Sequence, residues 1–446
     1  MTEKTKYDVC LVGLGYVGLT LATALADAGF NVLGVEKRQE IVELTNAGKP
    51  HFSEMGLDQM LLDVTQSGRL VARVDFPKDS YSDIYILSVG TPLGPDGKAR
   101  LDFMEAAARS VAENMQDDAL VILRSTVKIG TARQVVKPIL DASQKAYQIA
   151  MCPERTLEGR AMQELRILPQ IIGADDVATR ERAEQFFYKL TNSTVKVSSL
   201  EAAEVVKLVD NTFRDIQFGF ANEVARICDA VGVNAMEVIQ GGKLGYARTD
   251  VALPGLVGGP CLEKDPHILS QSCVDYGLDL DMTHAARRVN ERQPYETVEF
   301  IVAEYTRRNP RRDPVIAVLG IAFKGIPATD DLRGAMSLRV LEALDQQLPG
   351  AKVRLYDPVC TERDLLGVRP NDEVVSTLES AVIDADIAII ANNHPELAEL
   401  RPKQMVRLMA DRGFIYDYWN SFSDLRSHEL GGTYFAVGNS RKIKQG

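Results

Sequence analysis

Apolar and polar positions along the chain fall into three regimes. An apolar run at 7–12 leads into the glycine-rich GLGYVG at 13–18, then a helical pattern (LTLATALADAG), then a second apolar run at 31–35 that ends on Glu36. Strand, glycine turn, helix and strand in that order predict a βαβ unit. Short apolar runs return at 84–89 and 120–123, bounded by turn residues and separated by helical stretches. That pattern predicts a parallel sheet covered on both faces. The segment 200–232 differs. It holds no proline, and Val205, Val209, Phe213, Ile216, Phe220, Val224, Ile227 and Val231 recur at helical spacing. One long helix is expected, opened by a capping box from Ser198 and Glu201 and closed by Gly232. The stretch 233–300 reads as mainly helical, interrupted by a loop around Cys261. After the polar RRNPRRDP at 307–314 the strand pattern resumes in VIAVLG (315–320), VRLYDP (353–358), ADIAIIANN (385–393) and FIYDYW (414–419). The expected fold is α/β, with two Rossmann-like doubly wound parallel-sheet domains (1–197 and 307–446) joined by a central helical domain (198–306).

Composition narrows the function classes. A chain of 446 residues accommodates about three domains of roughly 150 residues. The net charge of −11, without a basic block, argues against a nucleic-acid face and asks that any anionic substrate be met by a local basic pocket. The N-terminus shows no cleavage site, and no stretch approaches the ~18 uninterrupted apolar residues of a membrane span, so neither a leader nor a membrane partner is expected. Six scattered cysteines, none in CxxC, read as reduced thiols of a cytoplasmic protein. Histidines at 51, 267, 284, 394 and 428 show no ligand spacing, and no metal is expected.

Several motifs carry candidate chemistry. Gly13, Gly15 and Gly18 form GxGxxG between a strand and a helix, where glycines permit a tight turn, close approach of a pyrophosphate, and helix–strand packing. Glu36 ends the second strand about 20 residues on, where an acid binds a ribose 2′-hydroxyl; it favours NAD over NADP, an effect softened by Lys37 and Arg38. GGPCLEKDP at 258–266 sets Cys261 in a glycine turn followed by Lys264 and Asp265. A neighbouring cation turns such a thiol into a nucleophile, although by itself a cysteine in a tight turn is more readily an inert one. Lys207 and Asn211 share one face of the long helix, extended by Arg214; that face is either solvated or the wall of a cleft. SVGTP (88–92), STV (125–127) and CPERTLEG (152–159) follow strand ends, which makes Thr91, Thr126, Glu154, Arg155 and Glu158 candidates beside surface ion pairing. Lys324 and Arg333 bracket FKGIPATDDLR after the first strand of the last domain, a place suited to phosphate or to solvated charge.

In this order and spacing, GLGYVGL, SVGTP, STV, CPERTLEG, KLVDNTFRD, GGPCLEKDP and FKGIPATDDLR, covering the chain to about residue 425, resemble the UDP-glucose/GDP-mannose dehydrogenase family of four-electron oxidoreductases. The resemblance implies an N-terminal domain for NAD, a C-terminal domain for the UDP moiety and a homodimer built on the long helix. It implies that Cys261 attacks a C6 aldehyde to give a thiohemiacetal, then a thioester that water hydrolyses to the uronate. Lys207 and Asn211 would stabilise the C6 oxygen, Asp265 would act on water or on proton transfer with Lys207, and Thr126 would position water. Glu154, Arg155 and Glu158 would line the sugar, with Arg214, Gly255, Gly258 and Lys324 on the substrate side, and Arg248 would match an arginine that reaches a neighbouring subunit. Tyr16, Val17, Arg38, Thr91, Lys264 and Arg333 would join the three glycines and Glu36 around the cofactor. PERT followed by ELRILPQIIG looks like the branch that oxidises UDP-N-acetylhexosamines, with N-acetylmannosamine favoured over N-acetylglucosamine. The chain departs from the family pattern at Glu263, where a proline is usual, at Gly334-Ala335, where a serine or proline is usual, and at Trp419. Competing readings are a UDP-glucose 6-dehydrogenase, a two-electron NAD enzyme, and a silent NAD or nucleotide-sugar sensor. Cys261 with Lys207 argues against the last two.

Overall fold

The computed structural model describes residues 5–308, 313–425, 430 and 432–440. Part of the 307–314 boundary and His428 lie outside them. Two compact units emerge: Met1–Asn211 with His267–Asp279, and Thr212–Pro266 with Leu280–Gly446.

The first unit is built on an eight-stranded sheet: β1 (Thr5–Val12), β2 (Val32–Val35), β3 (Leu70–Arg73), β4 (Ser80–Leu87), β5 (Ala119–Leu123), β6 (Tyr147–Met151), β7 (Gln170–Gly173) and β8 (Thr194–Val197). Their order is β3-β2-β1-β4-β5-β6-β7-β8. Strand side chains alternate between faces, so Val9 and Leu11 enter one apolar layer and Cys10 and Val12 the other. The first helix (Tyr16–Asp27) covers one face with Leu19, Leu21, Ala22 and Leu25. The sheet is parallel except where β6 meets β7, which touch antiparallel at one pair, Met151 opposite Gly173. The connection 152–169 is spent on the CPERTLEG segment and only a short helix (Ala161–Ile167), in place of the long helical crossover that returns a parallel strand.

The second unit carries a six-stranded, all-parallel sheet: β9 (Val315–Leu319), β10 (Lys352–Tyr356), β11 (Glu373–Val374), β12 (Ile387–Ile390), β13 (Phe414–Asp417) and β14 (Tyr434–Ala436), in the order β11-β10-β9-β12-β13-β14. Alternation recurs: Ile316 and Val318 enter one layer, Ala317 and Leu319 the other. A second long helix (Asp281–Arg307) adds Val298, Ile301 and Tyr305 to the first of these layers, beside Val340, Leu341 and Leu344 of the helix Met336–Gln347.

The long helix expected at 200–232 runs over Leu200–Val231. Its start corrects the expectation. Ser199, not Ser198, caps it by accepting the Ala202 amide at 3.1 Å, and Glu201 pairs with Arg133 instead of closing a box. Gly232 ends it at φ +80°, with its amide and that of Val233 on the Cys228 carbonyl. Which stripe is buried is the larger surprise. Val209, Phe213, Phe220, Ile227 and Val231, members of the apolar stripe, are 46% to 61% exposed. Glu204, Lys207, Asn211, Asp215 and Asn222 are buried, with Ala203, Leu208, Ala221, Ala225 and Cys228. The helix therefore turns a polar stripe inward, and the alternative of a solvated face for Lys207 and Asn211 falls.

Candidate active site

In the first unit the sheet register aligns the C-terminal ends of five strands. Val12 lies opposite Val35 and Leu87, Leu87 opposite Leu123, and Leu123 opposite Met151. GLGYVG, Glu36, SVGTP, RSTV and CPERTLEG leave those ends, so all five emerge along one edge. They straddle the β1/β4 point where strand order reverses, the place where doubly wound sheets take ligands.

The three glycines of the first turn have separate reasons. Gly13 has φ +96°, and a Cβ there would meet the Ser88 carbonyl at 2.9 Å; one on Gly18 would meet the Gly13 carbonyl at 1.9 Å. A Cβ on Gly15 would meet nothing within 4 Å. The protein's own packing does not require glycine at 15, whereas a pyrophosphate seated on that turn does. No side chain caps the helix that follows, and its first turn holds no acid, which leaves that end to an anion. Glu36 is buried; Oε2 accepts the Leu14 amide and Oε1 accepts from Arg38 N and Nε. Burial opposes its charge, yet the Arg38 guanidinium and the two amides hold its carboxyl below the ordinary range. It is thus an ionised acceptor at neutral pH, with Arg38 as its counter-ion. These residues fit NAD, an open glycine turn for the pyrophosphate and an acid for the ribose. Val17 is half-buried in the first helical turn.

Tyr16 is also tied to the loop that carries Phe52 and Glu54. Its hydroxyl donates to Glu54, its ring lies 4.8 Å from that of Phe52, and burial together with Glu54 pushes the phenol well above its usual value. Glu54 is buried and also accepts the amides of Gly159 and Ala161, at 2.7 and 2.8 Å. It ties the cofactor turn to the end of CPERTLEG. In sequence, a glutamate in a loop (HFSEMG) carried no such signal.

The next two strand-end loops are joined directly, because Thr91 donates to the Thr126 carbonyl. Arg124, just before STV, is buried and bonds Glu154, Gln170 and the Cys152 carbonyl. Glu154 also accepts the amides of Arg155 and Thr156 at 2.7 and 2.8 Å. Burial works against its charge, but Arg124 and these amides keep its carboxyl low. Much of its accepting capacity is spent on shaping its own loop. Arg155 reaches the Pro169 carbonyl at 2.6 Å and Asp210 at 3.6 Å, while Glu158 is half-buried. On the long helix Glu204 accepts the amides of Gly130 and Ala132, the loop after STV, and burial pushes its carboxyl up to about 7. Lys207 and Asn211 follow on the same buried stripe.

The second unit builds the cysteine turn from three sides. Gly259, at φ +90°, donates to the Gly334 carbonyl at 2.7 Å, and a Cβ there would strike the Phe323 ring at 2.4 Å. A Cβ on Gly258 would strike the same carbonyl at 2.3 Å. Asn222 brackets Gly255 by bonding both its carbonyl and its amide, and the Trp419 ring closes the other side. Arg287 donates to the Leu262 carbonyl at 3.1 Å, and its own partner is Asp215, 2.5 Å away. Asn290 links Asp215 to Asn222. The result is an exposed Cys261 on a short helical turn (Gly259–Leu262); Cys10, Cys152, Cys228 and Cys360 are buried and Cys273 is half-buried. Lys264 Nζ lies 2.5 Å from Asp265, whose side chain has no exposed surface. Lys324 sits over the Phe323 ring that packs on Gly259, and Arg333 binds back to Asp331. The structure therefore gathers Gly255, Gly258, Cys261, Lys264, Asp265, Lys324 and Arg333 in one unit. Arg214 and Arg248 are exposed, the latter over Tyr246. Among the described residues no three His, Cys, Asp or Glu side chains group as metal ligands, and no helix is long and apolar enough to cross a membrane.

Three family models match in succession: the UDP-glucose/GDP-mannose dehydrogenase NAD binding domain over residues 7–191, the central domain over 201–292 and the UDP binding domain over 317–424. A UDP-N-acetyl-D-mannosamine dehydrogenase of Pyrococcus horikoshii is 33% identical, covering 87% of this chain and 90% of that protein. A solved UDP-D-ManNAc dehydrogenase from Pyrococcus horikoshii has a TM-score of 0.85 at 29% identity, covering 98% and 100% of the two chains. A solved UDP-glucose dehydrogenase from Pyrobaculum islandicum has a TM-score of 0.82 at 27% identity, covering 95% and 97%.

Proposed function

Since the chain belongs to the UDP-glucose/GDP-mannose dehydrogenase family and is an NAD-dependent nucleotide-sugar dehydrogenase, we propose that it oxidises C6 of a UDP-N-acetylhexosamine, UDP-N-acetylmannosamine first, to the uronate. The observation that carries the four-electron reading is Cys261, an exposed thiol on a turn whose glycines admit no side chains. NAD supplies the hydride acceptor for both oxidations. The glycine turn, Glu36 and Arg38 hold it, with Thr91 and Thr126 beside them along the same sheet edge. Once the C6 alcohol has become an aldehyde, the Cys261 thiolate adds to it, forming a C–S bond and a thiohemiacetal. Loss of a second hydride gives the thioester, and water cleaves the C–S bond to release the carboxylate and restore the thiol. We assign Lys207 and Asn211 to the C6 oxygen, where a cation and an amide stabilise the charge that develops. Asp265 and Thr126 are assigned to water and proton transfer. Glu154, Arg155 and Glu158 shape the sugar side, and Lys324 and Arg333 serve phosphate.

The test is a comparison of kcat/KM on UDP-N-acetylmannosamine, UDP-N-acetylglucosamine, UDP-glucose, UDP-galactose and GDP-mannose. A preference for UDP-N-acetylmannosamine is expected. A preference for UDP-glucose would favour the second reading, a UDP-glucose 6-dehydrogenase, which the Pyrobaculum structure supports.

The enzyme is also proposed to be a cytoplasmic homodimer. Exposed Val209, Phe213, Phe220, Ile227 and Val231 make an apolar stripe along one helix, the kind of surface a soluble chain covers with a partner. Light scattering is expected to give twice the chain mass, and Phe220→Glu to shift it toward one. A monomeric wild-type protein at micromolar concentration would end the idea.

A further inference from the structure

Glu263 of the cysteine turn and Gly334 of the loop after β9 touch each other. Gly334 has φ +61°, and a Cβ there would lie 2.2 Å from Oε2 of Glu263 and 3.0 Å from the Gly259 carbonyl oxygen. The Glu263 carboxylate occupies the space in which any side chain at 334 would begin. Its other oxygen lies 3.8 Å from Arg339, in the opening turn of the helix Met336–Gln347. Glu263 also sits two residues after Cys261, its amide bonded to the Gly259 carbonyl, while the Gly334 carbonyl accepts from Gly259. The nucleophile turn and the loop that carries Lys324 and Arg333 thus meet at three points: the Gly259–Gly334 hydrogen bond, Phe323 against Gly259, and the carboxylate in the gap at Gly334.

We propose that Glu263 is a positioning residue, which fixes the Cys261 turn on the 323–335 loop by seating its carboxylate in the space that Gly334 leaves and facing it toward Arg339. This explains an acid next to a reactive thiol: the charge is turned away, to a guanidinium. A side chain at 334 would evict the carboxylate, since a glutamate's far end swings more easily than backbone moves. The catalytic consequence rests on reading Cys261 as the nucleophile; the seat itself does not.

The test is a double-mutant cycle of Glu263→Ala and Gly334→Ala in the full-length enzyme. It is read by the rate at which iodoacetamide alkylates Cys261, mapped by mass spectrometry because Cys273 is also partly accessible. With Gly334 present, Glu263→Ala is expected to speed alkylation about threefold or more, as the turn that carries the thiol loses a restraint, and to lower kcat. In the Gly334→Ala background the same replacement is expected to change neither, because the carboxylate has already left its seat. If Gly334→Ala does not fold, Arg339→Ala takes its place, and the effect of Glu263→Ala is expected to shrink in that background. Equal factors in both backgrounds, or no effect in either, would overturn the proposal. Coupling in alkylation without any change in kcat would leave the seat intact and sink the nucleophile reading instead.

Discussion

Cys261→Ser is expected to stop release of the uronate while NAD still binds. Serine differs from cysteine only by oxygen in place of sulfur, and the turn that presents residue 261 is fixed elsewhere, by Gly259 on Gly334, Gly258 on Met336 and Leu262 on Arg287. The fold therefore keeps its shape, and only the group at position 261 changes. A hydroxyl is a much weaker nucleophile toward an aldehyde than a thiolate, and an oxygen ester leaves less readily than a thioester. The loss in uronate formation should reach at least roughly 10³-fold, the scale on which single nucleophile removals fall. NAD affinity, measured by titration, should stay within about twofold, because the glycine turn, Glu36 and Arg38 belong to the other compact unit. Near-normal uronate release by the variant would refute the covalent route.

The largest effect on stability is expected at Asp215. It and Arg287 are buried, 2.5 Å apart, and the Asp215 Oδ2 and Arg287 Nη2 atoms have no protein partner among the described residues. Burial pushes the Asp215 carboxyl up against the pull of Arg287, a sign of what desolvating the pair costs. Asp215→Ala leaves a guanidinium buried without its counter-charge, a change worth about 3–5 kcal/mol. The midpoint of thermal unfolding should fall by roughly 10 °C. Asp215→Leu with Arg287→Met removes both charges and should recover most of that loss. It should not recover activity, because Arg287 is also the donor to the Leu262 carbonyl beside Cys261. A drop of less than about 1 kcal/mol for Asp215→Ala would show that the pair does not hold the turn.

Much of this architecture can be read from residues alone, and the reasons are local. GLGYVG after an apolar run has few other uses, and the strand runs at 84–89, 315–320 and 385–393 are long and apolar enough to stand out. Once such strands lie parallel, the register brings their following loops to one edge, so the motifs converge without further instruction. Strands β8 and β11 were not legible: TVKV is partly exposed and charged, and β11 has two residues. The long helix was legible as a helix but not in its orientation. Periodicity reports that a stripe exists, while what covers the stripe is a tertiary fact, and here small and polar residues face inward. Ser199 rather than Ser198 caps it, a one-residue shift that adjacent serines conceal. Glu54, Arg124, Asp215 and Arg287 escaped because a charged residue in sequence usually means solvent. Arg124 alone offered a hint, standing at a strand end directly before STV.

If one active site takes four electrons from one carbon, the number of NADH formed per UDP-N-acetylmannosamine consumed to completion shows it, with the product identified by mass. Two NADH and the uronate are predicted. One NADH with free aldehyde would contradict the claim, for it would mean that Cys261 does not hold the intermediate between the two oxidations.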